Sequence, residues 1–399
     1  MGIDDEWFAQ DERGWRDPKR WVCQRCVGDD GYLLHLVRKN LAFKTCSYCG
    51  SQKRKAAALS ALMDVLVRGI KYSYNDEANA GCPYDKDFSI EYLSSEDVLR
   101  QVLDAQGLDW SEALIRDVAK SLTNTGWVDA PDGDWMGAHH HERLHWSWTS
   151  FANAVKHHSR FHFQFNRRLH RYGDDLIGVH EMLPFLGRLI RRHRMVRPLP
   201  AKIPLFRVRP GTHPHTVEDL GAPPKEQASA GRMNPAGVPY LYLAFDEKTA
   251  LAETRASQGQ KVTVSQWSPN RDLHVIDLSH GPNIPSIFSE KRQEHEVAQF
   301  LYAFRDEISK PVAHDGSEHI EYVPTQVVSE YFSQVFKHGS GKHVDGLIYP
   351  SAVASEGKNL VVFPTYITDV PQGGKQPFPM MHFETARTGR VFFNDHSVI

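Results

Sequence analysis

Residues 231–254 read GRMNPAGVPYLYLAFDEKTALAET, and this stretch decides what kind of domain the C-terminal half of the chain forms. It begins as a Gly/Asn/Pro-rich loop, continues as an apolar run rich in tyrosine, and ends as a short helix for which Asp246 is a credible N-cap. Arg232, Tyr242 and Glu253 follow one another at steps of ten and eleven residues, one on each element. A loop, a strand and a helix need none of these side chains, so we predict that a ligand does.

The rest of the C-terminal region has the same alternating character. Short β-branched and aromatic runs bounded by turn residues predict strands at IPLFRVR, YLYLAFD, KVTVSQW, DLHVIDL, VDGLIYP and NLVVFP. Runs with helical spacing lie between them at EKTALAETRA, RQEHEVAQFLYAFRDEI and TQVVSEYFSQVFK. The region is therefore predicted to be mixed α/β around a sheet, with a late hairpin in MMHFETARTGRVFF.

The preceding region is predicted to be mostly helical. SQKRKAAALSALMDVLVRGI has helical periodicity, and Ser95 and Ser111 are the predicted N-caps of the next two helices. MVRPLPAKIP breaks the pattern and marks a boundary near residue 198. The prediction is an α+β multidomain protein with a zinc-binding module at 18–50, a helical domain at 51–197, a mixed α/β domain at 198–368 and a tail at 369–399.

Composition limits the functional classes. The 399 residues carry a formal net charge of −2, which argues against a protein that coats nucleic acid. No apolar run approaches the roughly 20 residues that a membrane helix needs. The acidic stretch MGIDDEWFAQDERGW lacks the features of a signal peptide, so we expect a cytoplasmic protein.

Two cysteine pairs, CQRC at 23–26 and CSYC at 46–49, predict a structural zinc site. Two-residue spacing lets both thiolates of a pair reach one ion, and Cys23, Cys26, Cys46 and Cys49 complete a closed tetrahedral shell. Four unrelated buried cysteines, or a redox pair, are the alternatives. The fifth cysteine, Cys82, is expected to be a small buried apolar residue.

The segment at 139–145 contains a second metal-binding pattern. His141, Glu142 and His145 spell H-E-x-x-H, which in metalloproteases binds zinc. In a chain with 22 histidines and without a third ligand at a familiar spacing, we expect a solvent-facing or partner-facing helix start instead. The alternative, a catalytic zinc, would require a metal ion beyond the one that the cysteines bind.

The C-terminal set of side chains suits a nicotinamide dinucleotide. A pyrophosphate is bound well by the planar fork of a guanidinium, and a nicotinamide ring packs on an aromatic face. A carboxylate stabilises the oxocarbenium charge that develops when the N-glycosidic bond breaks. The chain has no GxGxxG turn after a strand, so the site differs from a Rossmann site for hydride transfer.

Four motifs, in order LFRVR (205–209), GRMNPAG (231–237), YLYLAFDEKTALAE (240–253) and VDGLIYPSA (344–352), resemble the RES domain. The cysteine pairs and the helices after them resemble the HEPN/RES N-terminal region. The resemblance implies a toxin related in fold to ADP-ribosyltransferases, which degrades NAD by hydrolysis or phosphorolysis. It also implies an antitoxin or another regulatory partner and a role in phage defence.

The resemblance also implies roles for individual residues. Arg207 and Arg232 would bind the pyrophosphate, Tyr242 would pack on nicotinamide, and Glu253 would stabilise the ribosyl cation. Ser351 would hydrogen-bond the nucleotide or the attacking water or phosphate. Arg209 and Tyr240 compete with Arg207 and Tyr242, and Gln326 and Tyr349 are weaker candidates for the pocket.

Two other functions remain open at this point. The same site would serve an ADP-ribosyltransferase that modifies a protein or a small molecule. A zinc-ribbon interaction protein with a degenerate C-terminal domain would bind a partner and leave NAD intact. The sequence leaves the oligomeric state, the acceptor of the ribosyl group and the control of the activity undecided.

Overall fold

A computed structural model describes residues 10–51, 53–81, 91–165, 176–310, 316–339, 341–365, 378–392 and 397–398. The chain divides into two compact units. The first comprises Met1–Arg143 and Asn283–Phe300, and the second comprises Leu144–Pro282 and Leu301–Ile399. The division lies at residue 143 rather than near residue 198, and the sequence-based ranges of the domains stay predictions. Cys82 lies outside the described residues.

The helices of the described chain are numbered in order. They are α1 (Gln24–Val27), α2 (Gly31–Lys39), α3 (Ser60–Ser73), α4 (Ser95–Ala105), α5 (Glu112–Ser121), α6 (His140–His157), α7 (Met182–Arg192), α8 (Val217–Leu220), α9 (Glu247–Thr254), α10 (Arg292–Ser309), α11 (Glu318–Glu321) and α12 (Val323–Gln334). Among these helices, none combines the length and the apolar character that a membrane span requires.

The strands are numbered in the same way. They are β1 (Trp21–Val22), β2 (Leu41–Ala42), β3 (Ala56–Ala58), β4 (Tyr74–Asp76), β5 (Leu93–Ser94), β6 (Gly126–Asp129), β7 (Val196–Leu199), β8 (Leu205–Pro210), β9 (Leu241–Ala244), β10 (Lys261–Pro269), β11 (Leu273–Asp277), β12 (Gly346–Pro350), β13 (Lys358–Val362), β14 (Met381–Phe392) and β15 (Ser397–Val398).

The first unit is built around helices α3, α4 and α5. Their apolar faces form one core, in which Leu62, Leu66, Leu99 and Ile115 are fully or almost fully buried. Two small sheets, β1-β3-β2 and β4-β6-β5, accompany the helices. The prediction of helices is confirmed, but it missed these strands. Strands of two to four residues are too short to show a two-residue period.

The N-cap of α4 differs from the prediction. The Ser94 hydroxyl, not that of Ser95, accepts a hydrogen bond from the Asp97 backbone N–H at 3.2 Å, and the Asp97 carboxylate accepts one from the Ser94 backbone N–H. Ser95 is the first helical residue, and its buried hydroxyl bonds the Asn124 carbonyl and the Trp127 indole. Its burial explains the difference, because that hydroxyl is already used by tertiary partners. The N-caps Ser111 and Asp246 are confirmed.

A nine-stranded sheet forms the centre of the second unit. Its strand order is β15-β14-β10-β8-β9-β13-β12-β11-β7, and all neighbours are antiparallel except β11 and β12. All six predicted strands of the C-terminal region lie in this sheet. The chain is thus a mixed α/β protein with a large mixed sheet in its C-terminal region, as predicted.

One edge strand of this sheet was not predicted, and one prediction about its other edge is wrong. The stretch 195–204, predicted to mark a domain boundary, contains β7, which pairs with β11 from Leu199 to Val196. An edge strand tolerates proline because its outer backbone groups need no partner, so Pro198 does not exclude it. The expected hairpin in MMHFETARTGRVFF is one long strand, β14, which pairs with β10 along its length. The short strand β15 pairs with the end of β14.

Side chains of the sheet alternate between two apolar cores, as strands require. Leu205, Leu243 and Leu360 belong to one core. Val208 and Ala244 belong to the other, which α9 covers with its own apolar residues. By alternation, Tyr242, Tyr349 and Asn359 project toward the face that α9 covers.

We predict that Asp246 fixes the start of α9. Its two carboxylate oxygens accept hydrogen bonds from the Thr249 backbone at 2.7 Å and from the Thr249 hydroxyl at 2.8 Å. Asp246→Ala should lower the free energy of unfolding by about 1 kcal/mol, while Asp246→Asn should retain most of it. Urea unfolding followed by circular dichroism tests this. Equal stability of the alanine variant and the native protein would contradict the assignment.

Candidate active site

The loop before β9 holds Tyr242 in one position. The amide of Asn234, a buried residue, donates to the carbonyls of Ser229, Pro235 and Val238 at 2.9–3.1 Å. Its oxygen accepts the Tyr242 hydroxyl at 2.7 Å. Burial raises the pKa of Tyr242, so its phenol stays neutral at physiological pH. The loop therefore orients the ring of Tyr242 through its hydroxyl.

A glycine is required where this loop approaches the tyrosine. A Cβ on Gly231 would lie 2.6 Å from Asn234 Oδ1 and 3.0 Å from the Tyr242 hydroxyl, closer than side chains tolerate. Gln326 of α12 donates to the Gly231 carbonyl at 2.8 Å. Gln326, a weaker candidate from the sequence, thus supports the loop.

Arg207 lies where two strands of the sheet separate. A single residue pair, Phe206 with Ala244, joins β8 to β9. Beyond it, the Arg207 guanidinium donates across the gap to the Tyr242 carbonyl at 3.4 Å. Burial, with a smaller contribution from Arg209, lowers the pKa of Arg207 to about 10, which leaves it charged at neutral pH. Within the described part of the chain, no carboxylate lies within 4 Å of this guanidinium.

Arg209 makes a contact away from the cavity. Its guanidinium donates to the carbonyl of Asp219 in α8. It is not among the residues that line the cavity beside Arg207. Of the two competing arginines, Arg207 is the one placed at the cavity.

Glu253 lies in the last turn of α9, and two side chains hold it. The Ser351 hydroxyl donates to Oε1 at 2.7 Å, and the amide of buried Asn359 donates to the same oxygen at 2.6 Å. Oε2 receives no hydrogen bond from the described residues. More than a third of the Glu253 residue is exposed to solvent. Oε1 is thus held in place by two hydrogen bonds, and Oε2 is available to bind a ligand.

Ser351 is itself fixed by the turn after β12. Its hydroxyl oxygen accepts from the backbone of Val353 at 3.2 Å and of Ala354 at 3.0 Å. With both acceptor positions used by backbone, the hydroxyl proton is directed to Glu253. The structure therefore places Ser351 behind the carboxylate.

Arg207, Tyr242 and Glu253 line a cavity of about 190 Å³. Its lining combines one cationic, one anionic and two phenolic side chains with an apolar floor. The lining residues are Phe206, Arg207, Val208, Tyr242, Leu243, Ala244, Ala250, Glu253, Thr254, Tyr349 and Asn359. Sites for drug-sized ligands usually occupy about 300–1,000 Å³, so this cavity fits one end of a larger molecule.

Two residues of this site carried little or no sequence signal. Asn359 escaped notice, although an amide inside the apolar run NLVVFP was the available clue. Tyr349, a weaker candidate, is buried beside Asn359 at the cavity wall. Burial raises its pKa well above the usual range, and the carboxylate of Glu253 adds to this.

Arg232 does not line this cavity. Its guanidinium donates to the Ile308 and Lys310 carbonyls at 3.1 and 2.5 Å, at the end of α10, and lies 5.8 Å from the centre of the Tyr322 ring. It lines a neighbouring cavity of about 260 Å³ together with Glu307 and Lys156. Its charge nevertheless lowers the pKa of Tyr242, although less than burial raises it.

The four cysteines of the first unit are close together. The sulfur atoms of Cys23 and Cys49 are 3.6 Å apart, and those of Cys26 and Cys46 are 3.7 Å apart. All four lie within 4.8 Å of one another. Burial raises the pKa of the Cys26 thiol. One tetrahedral ion bound by thiolates would replace these protons, so the cluster fits a metal site.

Comparisons with known proteins agree with the motifs. A family model of the RES domain matches residues 204–381, and a model of HEPN/RES N-terminal domain 1 matches residues 39–168. This chain is a RES-domain protein with a HEPN/RES-type N-terminal domain. Comparisons with curated proteins and with solved structures gave no significant match. In this RES domain, the matched range includes all five residues that the motifs single out.

We predict that the cysteine cluster binds one zinc ion that stabilises the first unit of this RES-domain protein. Cys26→Ser should remove one equivalent of zinc per chain, because a closed shell of four ligands does not form without it. Ser47→Ala, between Cys46 and Cys49, is a control that leaves all four sulfur ligands in place. Inductively coupled plasma mass spectrometry of the purified chains measures the difference. Equal zinc content in the Cys26→Ser and native proteins would refute the assignment.

Proposed function

We propose that this RES-domain protein is a toxin-like enzyme that cleaves the nicotinamide N-glycosidic bond of NAD. The observation that carries the proposal is the anchored carboxylate of Glu253, which faces a cavity that also holds the Arg207 guanidinium and the Tyr242 ring. The guanidinium suits the pyrophosphate of the dinucleotide, the carboxylate suits the ribose, and the tyrosine ring suits the nicotinamide. We also propose that the fold of this domain is related to that of ADP-ribosyltransferases.

The charge of Arg207 indicates an anionic ligand. A buried guanidinium without a nearby carboxylate is costly to desolvate, and its free-energy cost falls when an anion binds. A pyrophosphate offers oxygens spaced for the guanidinium fork. Arg232 is similarly unneutralised in the described chain, since carbonyl groups are its hydrogen-bond partners. We propose that Arg232 turns from these carbonyls to the second phosphate when NAD binds.

Glu253 would act on the ribose. As nicotinamide departs, positive charge develops on the anomeric carbon, and a fixed carboxylate stabilises it without reorganising. Ser351 and Asn359 keep Oε1 in place, so Oε2 is the oxygen available to the ribose. In this proposal Ser351 is a positioning residue, instead of a group that contacts the attacking water or phosphate.

Tyr242 would bind the departing ring. Its hydroxyl is held by Asn234, and Tyr242 is one of the residues that line the cavity, so we propose that its ring stacks on nicotinamide. An offset stack between this ring and nicotinamide contributes on the order of 1 kcal/mol beyond the burial of apolar area. The cavity volume fits the nicotinamide riboside end, with the adenosine end outside it.

Release of nicotinamide from NAD by the purified chain tests this proposal. Glu253→Gln should reduce the rate on the order of 100-fold or more, because the amide keeps the shape and loses the charge. Glu226→Gln, the same change at an exposed position of the same domain, should have no effect. Native turnover in Glu253→Gln would contradict the proposal.

The same assay identifies the acceptor of the ribosyl group. Addition of phosphate distinguishes phosphorolysis, which yields a ribosyl phosphate, from hydrolysis. Label from NAD that appears on a macromolecule would favour ADP-ribosyl transfer. A chain that binds zinc and leaves NAD intact would be an interaction protein.

We also predict that Ser351 and Asn359 act through Glu253. A hydrogen bond to a charged group contributes about 1.5–3 kcal/mol, so Ser351→Ala and Asn359→Ala should each lower kcat/KM by roughly 10- to 150-fold. Ser355→Ala is a control in the same loop. An effect on KM alone would contradict a role in the chemical step.

A further inference from the structure

A second group of metal-ligating side chains lies in the first unit, apart from the cysteines. His139 precedes α6, His141 lies in its first turn, and Glu296 lies on α10. One ligand atom from each of the three is within 4.8 Å of the others. His139 and His141 are two residues apart, whereas Glu296 lies 155 residues from His141, so the fold brings the carboxylate to the two histidines.

Glu296 is a buried carboxylate that is only half satisfied by the protein. It is 4% exposed. Its Oε2 accepts the His141 backbone at 3.0 Å and lies 2.6 Å from His141 Nδ1. Its Oε1 accepts no hydrogen bond from the described residues. A buried carboxylate is stable when it is paired or binds a metal, so Oε1 is the carboxylate oxygen available to a ligand.

His139 has the surroundings of a metal-binding histidine. Its Nε2 lies 3.4 Å from the Asp129 carboxylate of β6. Histidines that bind metals usually donate their second ring nitrogen to such a carboxylate, which fixes the tautomer and the ring. With Nε2 facing Asp129, Nδ1 is the nitrogen left for an ion. Its ring centre is 5.6 Å from that of His141.

We propose that His139, His141 and Glu296 bind a divalent transition-metal ion of the zinc type. Two imidazoles and one carboxylate are a donor set that such ions prefer, and three protein ligands leave a fourth position for water. The ion would replace the proton between His141 and Glu296. Ligand atoms about 2.0–2.1 Å from a tetrahedral ion are roughly 3.3 Å apart, so a small rotation of the side chains suffices.

This site is different from the H-E-x-x-H pattern in which His141 occurs. Glu142 accepts the backbone N–H of His139 at 2.9 Å, which caps the start of α6. His145 is exposed and is not a member of the group. The expected helix start is present at His140, with His145 exposed to solvent and His141 bonded to a buried carboxylate.

Metal content of the full chain, purified without chelator and equilibrated with zinc, tests the proposal. The native chain should hold two zinc ions, one at the cysteines and one at this site. Glu296→Gln should hold one, because an amide still accepts the hydrogen bonds of His141 but is a poor zinc ligand. His145→Gln should hold two.

A native chain with no more zinc than Glu296→Gln, confirmed as folded by circular dichroism, would overturn the proposal. Zinc affinity gives an independent check that does not change the His141–Glu296 pair. Asp129→Asn should weaken binding of one equivalent by about 10- to 100-fold. His139→Ala should abolish binding of that equivalent at micromolar zinc, while unchanged affinity in both variants would also overturn the proposal.

Discussion

The site depends on the anchoring of one carboxylate oxygen. Ser351 and Asn359 come from β12 and β13 and their connecting turn, and both donate to Oε1 of Glu253 on α9. The helix end is thereby tied to the sheet at the edge of the cavity. Without these donors, a carboxylate more than a third exposed would sample many rotamers. The anchoring makes Glu253 a fixed charge, which is what stabilisation of a developing cation requires.

The separation of β8 and β9 provides the space for the cavity in which we propose that NAD binds. A continuous ladder between the two strands would fill the cavity with backbone hydrogen bonds. Instead, one residue pair joins them, and the Arg207 side chain reaches the Tyr242 carbonyl. The open position therefore exposes a guanidinium and a phenol next to Glu253. The cost of burying an unneutralised cation is what a bound anion would offset.

Sequence patterns predict the strands and the helix of this site because each is a local property. Arg207 and Ser351 stand out through the motifs that resemble the RES domain, and Tyr242 and Glu253 stand out also through their spacing from Arg232. Asn359 was missed, since its role depends on a contact with Glu253 across 106 residues. The contact of Arg232 with the end of α10 is equally non-local. Neither contact leaves a periodic signal in the chain.

The difference between local patterns and non-local contacts also explains why one metal-binding group is predictable from the sequence and the other is not. Paired spacing brings Cys23 and Cys26 together locally, so the cysteine cluster is predictable from the sequence. Glu296 lies 155 residues from His141, and the five-residue pattern around His141 points to the wrong partner, His145. Local motifs therefore predict ligands only when the local backbone positions them.

The most direct measurement is single-turnover release of nicotinamide by the double variant Ser351→Ala/Asn359→Ala, compared with Glu253→Gln. If the two donors act by fixing Glu253, the double variant should approach the slow rate of Glu253→Gln. A double variant that releases nicotinamide at the native rate would contradict the claim that an anchored carboxylate drives the reaction.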